Sequence, residues 1–186
     1  IVFNCGAHHG FVSIFLSRWT GDTGAVLAFE PIPQNARTIR TNIQLNHIHN
    51  IVVEEKALGD SNGFAFFTLA ANARTTDESR AEYRIEMTHL DAYAHLKPHF
   101  LLIDVQGHEI EVLRGARQIL KRHPKLVIEI HPDKLDAPVR RINELLSLVD
   151  LDAYDTWIQW NPARAPEPYD RRTPITSRVH LYAIPR

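Results

Sequence analysis

A single cysteine, Cys5, stands in a chain of 186 residues, so no internal disulfide can form and a reducing, cytoplasmic compartment is the natural setting. No apolar run approaches the roughly 20 residues that a membrane helix requires. The first residues do not read as a secretory signal either. No basic segment precedes Ile1-Val2-Phe3, and Asn4 interrupts the apolar stretch. Neither sign of charge is in excess: 21 Lys and Arg face 22 Asp and Glu. That balance offers no broad field to hold nucleic acid or an anionic membrane, although Arg164, Arg171, Arg172 and Arg178 lie close enough in sequence to form a local basic patch. The chain also opens without a methionine, directly in a strand-like run, and reads as a fragment whose upstream segment is missing.

What is present suits one packed domain over residues 1–186. Hydrophobic residues make up 44%, enough for one buried core in a chain too short for two domains. Short apolar runs ending in polar residues recur at Ile1 to Asn4, Ala25 to Glu30, Ile51 to Glu54, Phe100 to Asp104 and Leu126 to Glu129. Runs of this length suit parallel strands covered on both faces. Between them, Ala36, Ile39 and Ile43 share a helical face, as do Val112, Ala116 and Ile119. Val139, Ile142, Leu146 and Val149 make a third stripe. This alternation predicts an α/β fold, a doubly wound and mostly parallel sheet with helices on both faces. Residues 59–91, with an aromatic run at Phe64, Phe66 and Phe67, break the alternation as a hairpin-like insertion ending in a short helix near Asp91. After Trp157-Ile158-Gln159-Trp160, Pro162, Pro166, Pro168 and Pro174 mark a long loop before a last strand from Val179 to Ile184.

The most informative segment lies between the first strand and first helix, Asn4-Cys5-Gly6-Ala7-His8-His9-Gly10. Glycines at a strand's carboxyl end let the backbone approach a ligand closely. A dinucleotide fingerprint needs glycines where this chain has His8 and Phe11, and no Gly-Lys-Ser/Thr follows to make a phosphate loop. Glu30 ends the second strand, where a carboxylate can accept both hydroxyls of a ribose. A glycine loop without a phosphate site, together with a ribose acid, fits an adenosyl ligand that lacks phosphates, such as S-adenosylmethionine. The alternative is that Gly6 and Gly10 only make a tight turn and Glu30 only solvates a strand end.

Taken together, Asn4-Cys5-Gly6-Ala7-His8-His9-Gly10, Phe29-Glu30-Pro31, Ala57-Leu58-Gly59-Asp60, Leu90-Asp91, Ile103-Asp104-Val105-Gln106-Gly107-His108-Glu109 and Glu129-Ile130-His131-Pro132 resemble, in order, the motifs of the FkbM-type methyltransferases. Asn42 and Asn46 fit the same pattern. The resemblance implies a class I, Rossmann-like domain with a seven-stranded sheet and an antiparallel last strand. It also implies S-adenosylmethionine as cofactor. By that resemblance Asn4, Gly6, Ala7, His8 and Gly10 hold the methionyl end, Glu30 the ribose, and Pro31, Ile32 and Ala57 border the adenine, with Asp104 near the reacting centre. The chain departs from the family at Asn4, where an aspartate is usual, at His8 for a frequent asparagine, and at Gln106 for a glutamate.

Methyl transfer to a hydroxyl is helped by a general base within hydrogen-bond reach of the proton. His131, just past an apolar strand and on the ligand rim, is the first candidate and Asp104 the second; a loop histidine before Pro132 is the plain alternative. Eleven histidines invite a metal, with His8, His9, His108 and His131 able to converge on Asp104 and Glu129. No His-Glu-x-x-His or Cys-rich spacing supports one, and none is expected. Cys5 reads as a small buried hydrophobe, Trp157 and Trp160 as packing, and Glu109 and Glu111 as acids at a helix start. The expected activity is O-methylation of a small metabolite or sugar, with no nucleic-acid or membrane partner and the oligomeric state open. A nucleotide-cofactor oxidoreductase and a non-catalytic module that binds S-adenosylmethionine or a partner are the competing readings.

Overall fold

The computed structural model describes residues 1–68, 74–75 and 78–186. Its strands are β1 (Val2–Cys5), β2 (Val26–Phe29), β3 (Ile51–Glu54), β4 (Ala57–Leu58), β5 (Gly63–Thr68), β6 (Arg74–Thr75), β7 (Tyr83–Thr88), β8 (Phe100–Ile103), β9 (Lys125–Ile130), β10 (Tyr154–Gln159), β11 (Glu167–Pro168) and β12 (Val179–Pro185). The helices are α1 (Phe11–Thr20), α2 (Pro33–Leu45), α3 (Glu109–Arg114), α4 (Arg117–Leu120) and α5 (Pro138–Ser147).

The apolar runs form the main sheet, in the order β11-β10-β12-β9-β8-β1-β2-β3. Strands β3, β2, β1, β8 and β9 are parallel, and β12 is antiparallel to both β9 and β10. Among the described residues, this sheet adds the two-residue edge strand β11 to the seven expected strands. Alternation along β1 and β2 sorts side chains to two faces. Phe3, Cys5, Leu27 and Phe29 pack with Ile110 and Leu113 of α3 and Ile119 of α4. Val2 and Val26 meet Leu16 of α1, and Ala28 meets Ile39 of α2, on the other side. Helices therefore cover both faces. The chain steps from β1 to β2 and β3 in one direction and later returns to β8 and β9 in the other, so the strand order reverses beside β1. Open α/β sheets bind ligands at that reversal.

The insertion is a second sheet, β4-β7-β5-β6, in which β5 and β7 pair antiparallel and a 3₁₀ turn at Leu90–Leu96 follows. Residues 69–73 and 76–77 of the expected insertion lie outside the described residues.

Two helical expectations are corrected. The face read at Val112, Ala116 and Ile119 is split between α3 and α4. The break falls at Gly115, whose carbonyl accepts the Asp91 amide at 2.8 Å. A Cβ there would lie 2.2 Å from the Gly59 carbonyl oxygen. The Asp91 carboxylate in turn accepts the amides of Gln118 and Ile119 in the first turn of α4, a capping bond that starts the new helix. On α5 the buried residues are Ile142 and Leu145, whereas Val139 is 63% exposed. Adjacent leucines at 145 and 146 satisfy the helical period almost equally, and packing selected the first.

Candidate active site

A cleft of about 840 Å³ opens at the carboxyl ends of β1, β2 and β8. Asn4, Gly6, Ala7 and His8 form one wall and Glu30, Pro31 and Ile32 another. Ala57 of β4, Phe67 of β5 and Met87 of β7 close the insertion side, and Asp104, Gln106 and His108 follow β8. Of the residues expected to hold the cofactor, all but Gly10 line this one cleft.

Each glycine of the first loop has its own task. Gly6 has φ 89°, and a Cβ on it would fall 1.9 Å from the Asp104 carbonyl oxygen. Its bareness lets the ends of β1 and β8 close on each other. Gly10 has φ 82°, and a Cβ there would meet Ile39 at 2.9 Å. Gly10 thus serves the packing of α1 against α2 and does not reach the cleft. The loop between them is fixed from beneath, since the amides of Gly6 and Ala7 donate to the Phe29 carbonyl at 3.0 and 2.9 Å.

Glu30 is buried, at 4% exposure. Its Oε2 accepts the His8 amide at 2.7 Å, and its Oε1 accepts the Ile32 amide and the Asn35 side-chain amide. Burial raises its pKa against the lowering effect of these three hydrogen bonds. One carboxylate therefore ties the loop to the turn after β2. Asn4 is also buried, and its Nδ2 donates to Ser13 Oγ at 2.8 Å. Its Oδ1 is buried without a hydrogen-bond partner among the described residues, in a residue that lines the cleft, and a buried acceptor left unpaired is uncommon.

The opposite end of the cleft holds a carboxylate–imidazole group. Burial, and next the Glu129 charge, push the Asp104 carboxyl up to about 6. Glu129 is held down at about 2, chiefly by the facing His180 imidazole, 3.6 Å away, and Arg178 lies 3.5 Å from it. His131 has no exposed surface and does not line the cleft; Asp104 and Gln106 do. Its Nδ1 lies 2.9 Å from Glu109 Oε1, and its Nε2 is 3.7 Å from both Asp104 Oδ1 and Glu129 Oε1. Burial disfavours its charged form, but the Glu109 bond and the charges of Glu109, Asp104 and Glu129 outweigh burial and raise its pKa.

The position of His131 differs from the rim position its place in the sequence suggested. Strand β9 runs one residue further than expected, to Ile130, and the 3₁₀ turn at Pro132–Lys134 carries the chain away with His131 inside. His8, His9 and His108 do not join the group. Asp104, Glu129 and His131 have ligand atoms within 4.8 Å of one another, a spacing a divalent cation can use. The Gln106 amide nitrogen, however, already sits 2.8 Å from Asp104 Oδ1 and 3.1 Å from His131 Nε2, and Arg178 and His180 already face Glu129. Glu109, read from sequence as a helix-start acid, is 1% exposed and belongs to this group. No local signal could find it, because its partner lies 22 residues away.

A parallel sheet with its order reversed at β1, a glycine loop and a buried acid after β2 define a Rossmann-like domain of the class I methyltransferase kind. The family model of the methyltransferase FkbM domain matches residues 4–159, and the chain belongs to that family. Among solved structures, the methyltransferase FkbM from Methylobacillus flagellatus KT is similar over 98% of this chain and 43% of its own, with 21% identity and a TM-score of 0.67. This chain therefore spans less than half the length of that relative. An rRNA methylase from Streptococcus thermophilus matches over 100% of this chain and 85% of its own, at 14% identity and a TM-score of 0.58. Fibrillarin from Aeropyrum pernix, with natively bound S-adenosyl-L-methionine, matches over 98% and 65%, at 16% identity and a TM-score of 0.57. No curated protein matches the sequence. Among the described residues no helix is long and apolar enough to cross a membrane.

Proposed function

We propose that the chain binds S-adenosylmethionine in this cleft and transfers its methyl group to a hydroxyl of a small metabolite or sugar, leaving S-adenosylhomocysteine. The observation that carries the reading is the convergence of Asn4, Glu30 and Asp104, from three separate strand ends, on one cleft. The unpartnered Asn4 Oδ1 suits the cofactor's amino group. Glu30 Oε2, which takes a single bond from the chain, suits a ribose hydroxyl. Pro31, Ile32 and Ala57, with Phe67 and Met87, offer the apolar surface an adenine needs. When bound, the cofactor supplies an electrophilic methyl group on a sulfonium.

The protein's part is alignment, water exclusion and proton handling. Asp104 is the group that lines the cleft and can take the acceptor's proton. His131 stands behind it and acts through Gln106 and Asp104. The acceptor is a neutral hydroxyl compound in this reading, because the cleft's cations are already paired. Lys56 lies 3.2 Å from Glu86, Lys134 lies 3.5 Å from Asp133, and Arg178 lies near Glu129.

Calorimetric titration with S-adenosylmethionine, S-adenosylhomocysteine and NAD tests the reading. The expected result is binding of both adenosyl ligands in the micromolar range, no heat with NAD, and a loss of at least about tenfold in Glu30→Gln. That variant loses the charge and keeps an oxygen for only one of the two backbone amides, His8 or Ile32, so its fold is checked by thermal melting beside the titration. Absence of adenosyl binding sinks the proposal. Binding without turnover across a broad panel of hydroxyl acceptors favours a cofactor-binding module, which Asn4 and Gln106 would then explain.

A further inference from the structure

Gln106 stands where a glutamate is usual, and its surroundings give the amide a specific use. Its Nε2 lies 2.8 Å from Asp104 Oδ1 and 3.1 Å from His131 Nε2. Turning the amide over would set its carbonyl oxygen against the Asp104 carboxylate, so the nitrogen must face this way. An amide nitrogen has two hydrogens and no lone pair to share. His131 Nε2 must then accept, which places the imidazole proton on Nδ1, facing Glu109 Oε1 at 2.9 Å. Glu109 Oε1 also accepts the Gly107 amide at 2.9 Å, tying the same carboxylate to the loop that carries Gln106. The backbone there is held in the left-handed region, with φ 57° at Gln106 and 104° at Gly107. For a side chain such as Gln that conformation costs energy and marks a constrained position.

We propose that Gln106 is a positioning residue, whose amide gives one hydrogen to Asp104 and the other to His131. Glu109, His131, Gln106 and Asp104 then form one directed hydrogen-bond chain that fixes the Asp104 carboxylate on the cleft wall. Three carboxylates, Glu109, Asp104 and Glu129, surround the imidazole and favour its cation, while Arg178 and His180 face Glu129 from β12 and the residue before it. Gln106 opposes that cation, since a proton on Nε2 would meet the amide's own hydrogens. A glutamate at 106 could not make this chain unless protonated. The substitution is thus matched to the histidine and is no simple loss of a carboxylate. Its meaning for catalysis rests on the methyltransferase reading, but its geometry does not.

The test is nitrogen NMR of the full chain labelled with 15N-histidine. His131 is identifiable as the one fully buried imidazole, by slow exchange of its ring proton. The expected result is a neutral form protonated on Nδ1 with Nε2 bare. In Gln106→Leu the imidazole should titrate about one unit or more higher, because the opposition to its cation is gone. A wild-type neutral form protonated on Nε2 overturns the proposal without any variant. So does a folded Gln106→Leu protein in which His131 titrates as before. Calorimetry with S-adenosylmethionine on the same samples keeps the two questions apart, since the wild-type tautomer is read whether or not the cofactor binds.

Discussion

Burial and the Glu129 charge bring the Asp104 carboxyl to about 6, so its charge changes just below neutrality. A base works only when deprotonated, and a raised pKa means its activity is lost as pH falls through that value. With any hydroxyl acceptor that supports turnover, the rate should climb between about pH 5 and 7 and then level. Asp104→Asn should remove that limb and lower the rate by about 10²- to 10³-fold. A profile in Asp104→Asn identical to that of the parent would assign the proton to another group. At this scale Glu30 and Asp104 were legible in the sequence, because each closes an apolar run at a strand's carboxyl end. Asn4 was legible as a position, but its unpartnered oxygen was not. The contacts of Gln106 and Glu109 were hidden, since they are made with His131, 25 and 22 residues away. His131 itself was located but placed on the rim, where the actual chain turns it inward.

Among the elements, the junction of β1 with β8 has the least tolerance. Gly6→Ala would drive a Cβ into the Asp104 carbonyl at 1.9 Å and hold alanine at φ 89°. Relief requires separating the two strand ends that carry Asn4 and Asp104. The expected cost is about 3 kcal/mol or more, with loss of adenosyl binding. Gly21 ends α1 at φ 65° and ψ −174°, a region essentially reserved for glycine, with nothing within 4 Å of its would-be Cβ, so Gly21→Ala costs conformational strain without a clash, about 1–3 kcal/mol. Urea midpoints of the two variants separate the clash from the strain; equal shifts would mean that β1 and β8 can part freely. The parallel strands were readable because burial on both faces makes them continuous apolar runs. The β4–β7 sheet was visible only as an aromatic insertion, since its pairing is set by long-range register. The break between α3 and α4 was unreadable for a related reason: it is imposed by Asp91 and Gly59, from outside the helix.

At the scale of the whole molecule, a TM-score of 0.67 at 21% identity shows a shared fold and leaves the acceptor to be argued from surface chemistry. Polynucleotide is an acceptor class that surface charge can test directly. Nucleic-acid binding draws on cations free to neutralise phosphates, and its affinity falls steeply with salt. Here 21 basic residues meet 22 acidic ones. The basic cluster noted near the carboxyl end is largely spent internally, with Arg171 on Asp152, Arg172 on Asp170 and Arg178 on Glu129. Any phosphate approaching those guanidinium groups must compete with a carboxylate already in place. The expected outcome is no gel-shifted complex with a single-stranded or a structured RNA at about 10 μM protein and near-physiological salt, a range in which non-specific binders are partly occupied. A complex that weakens linearly in log affinity with log salt would reveal free phosphate-binding cations and redirect the acceptor search to RNA. Without one, the search turns to small compounds able to enter a cleft of about 840 Å³ alongside the cofactor, the proposed neutral hydroxyl compounds first.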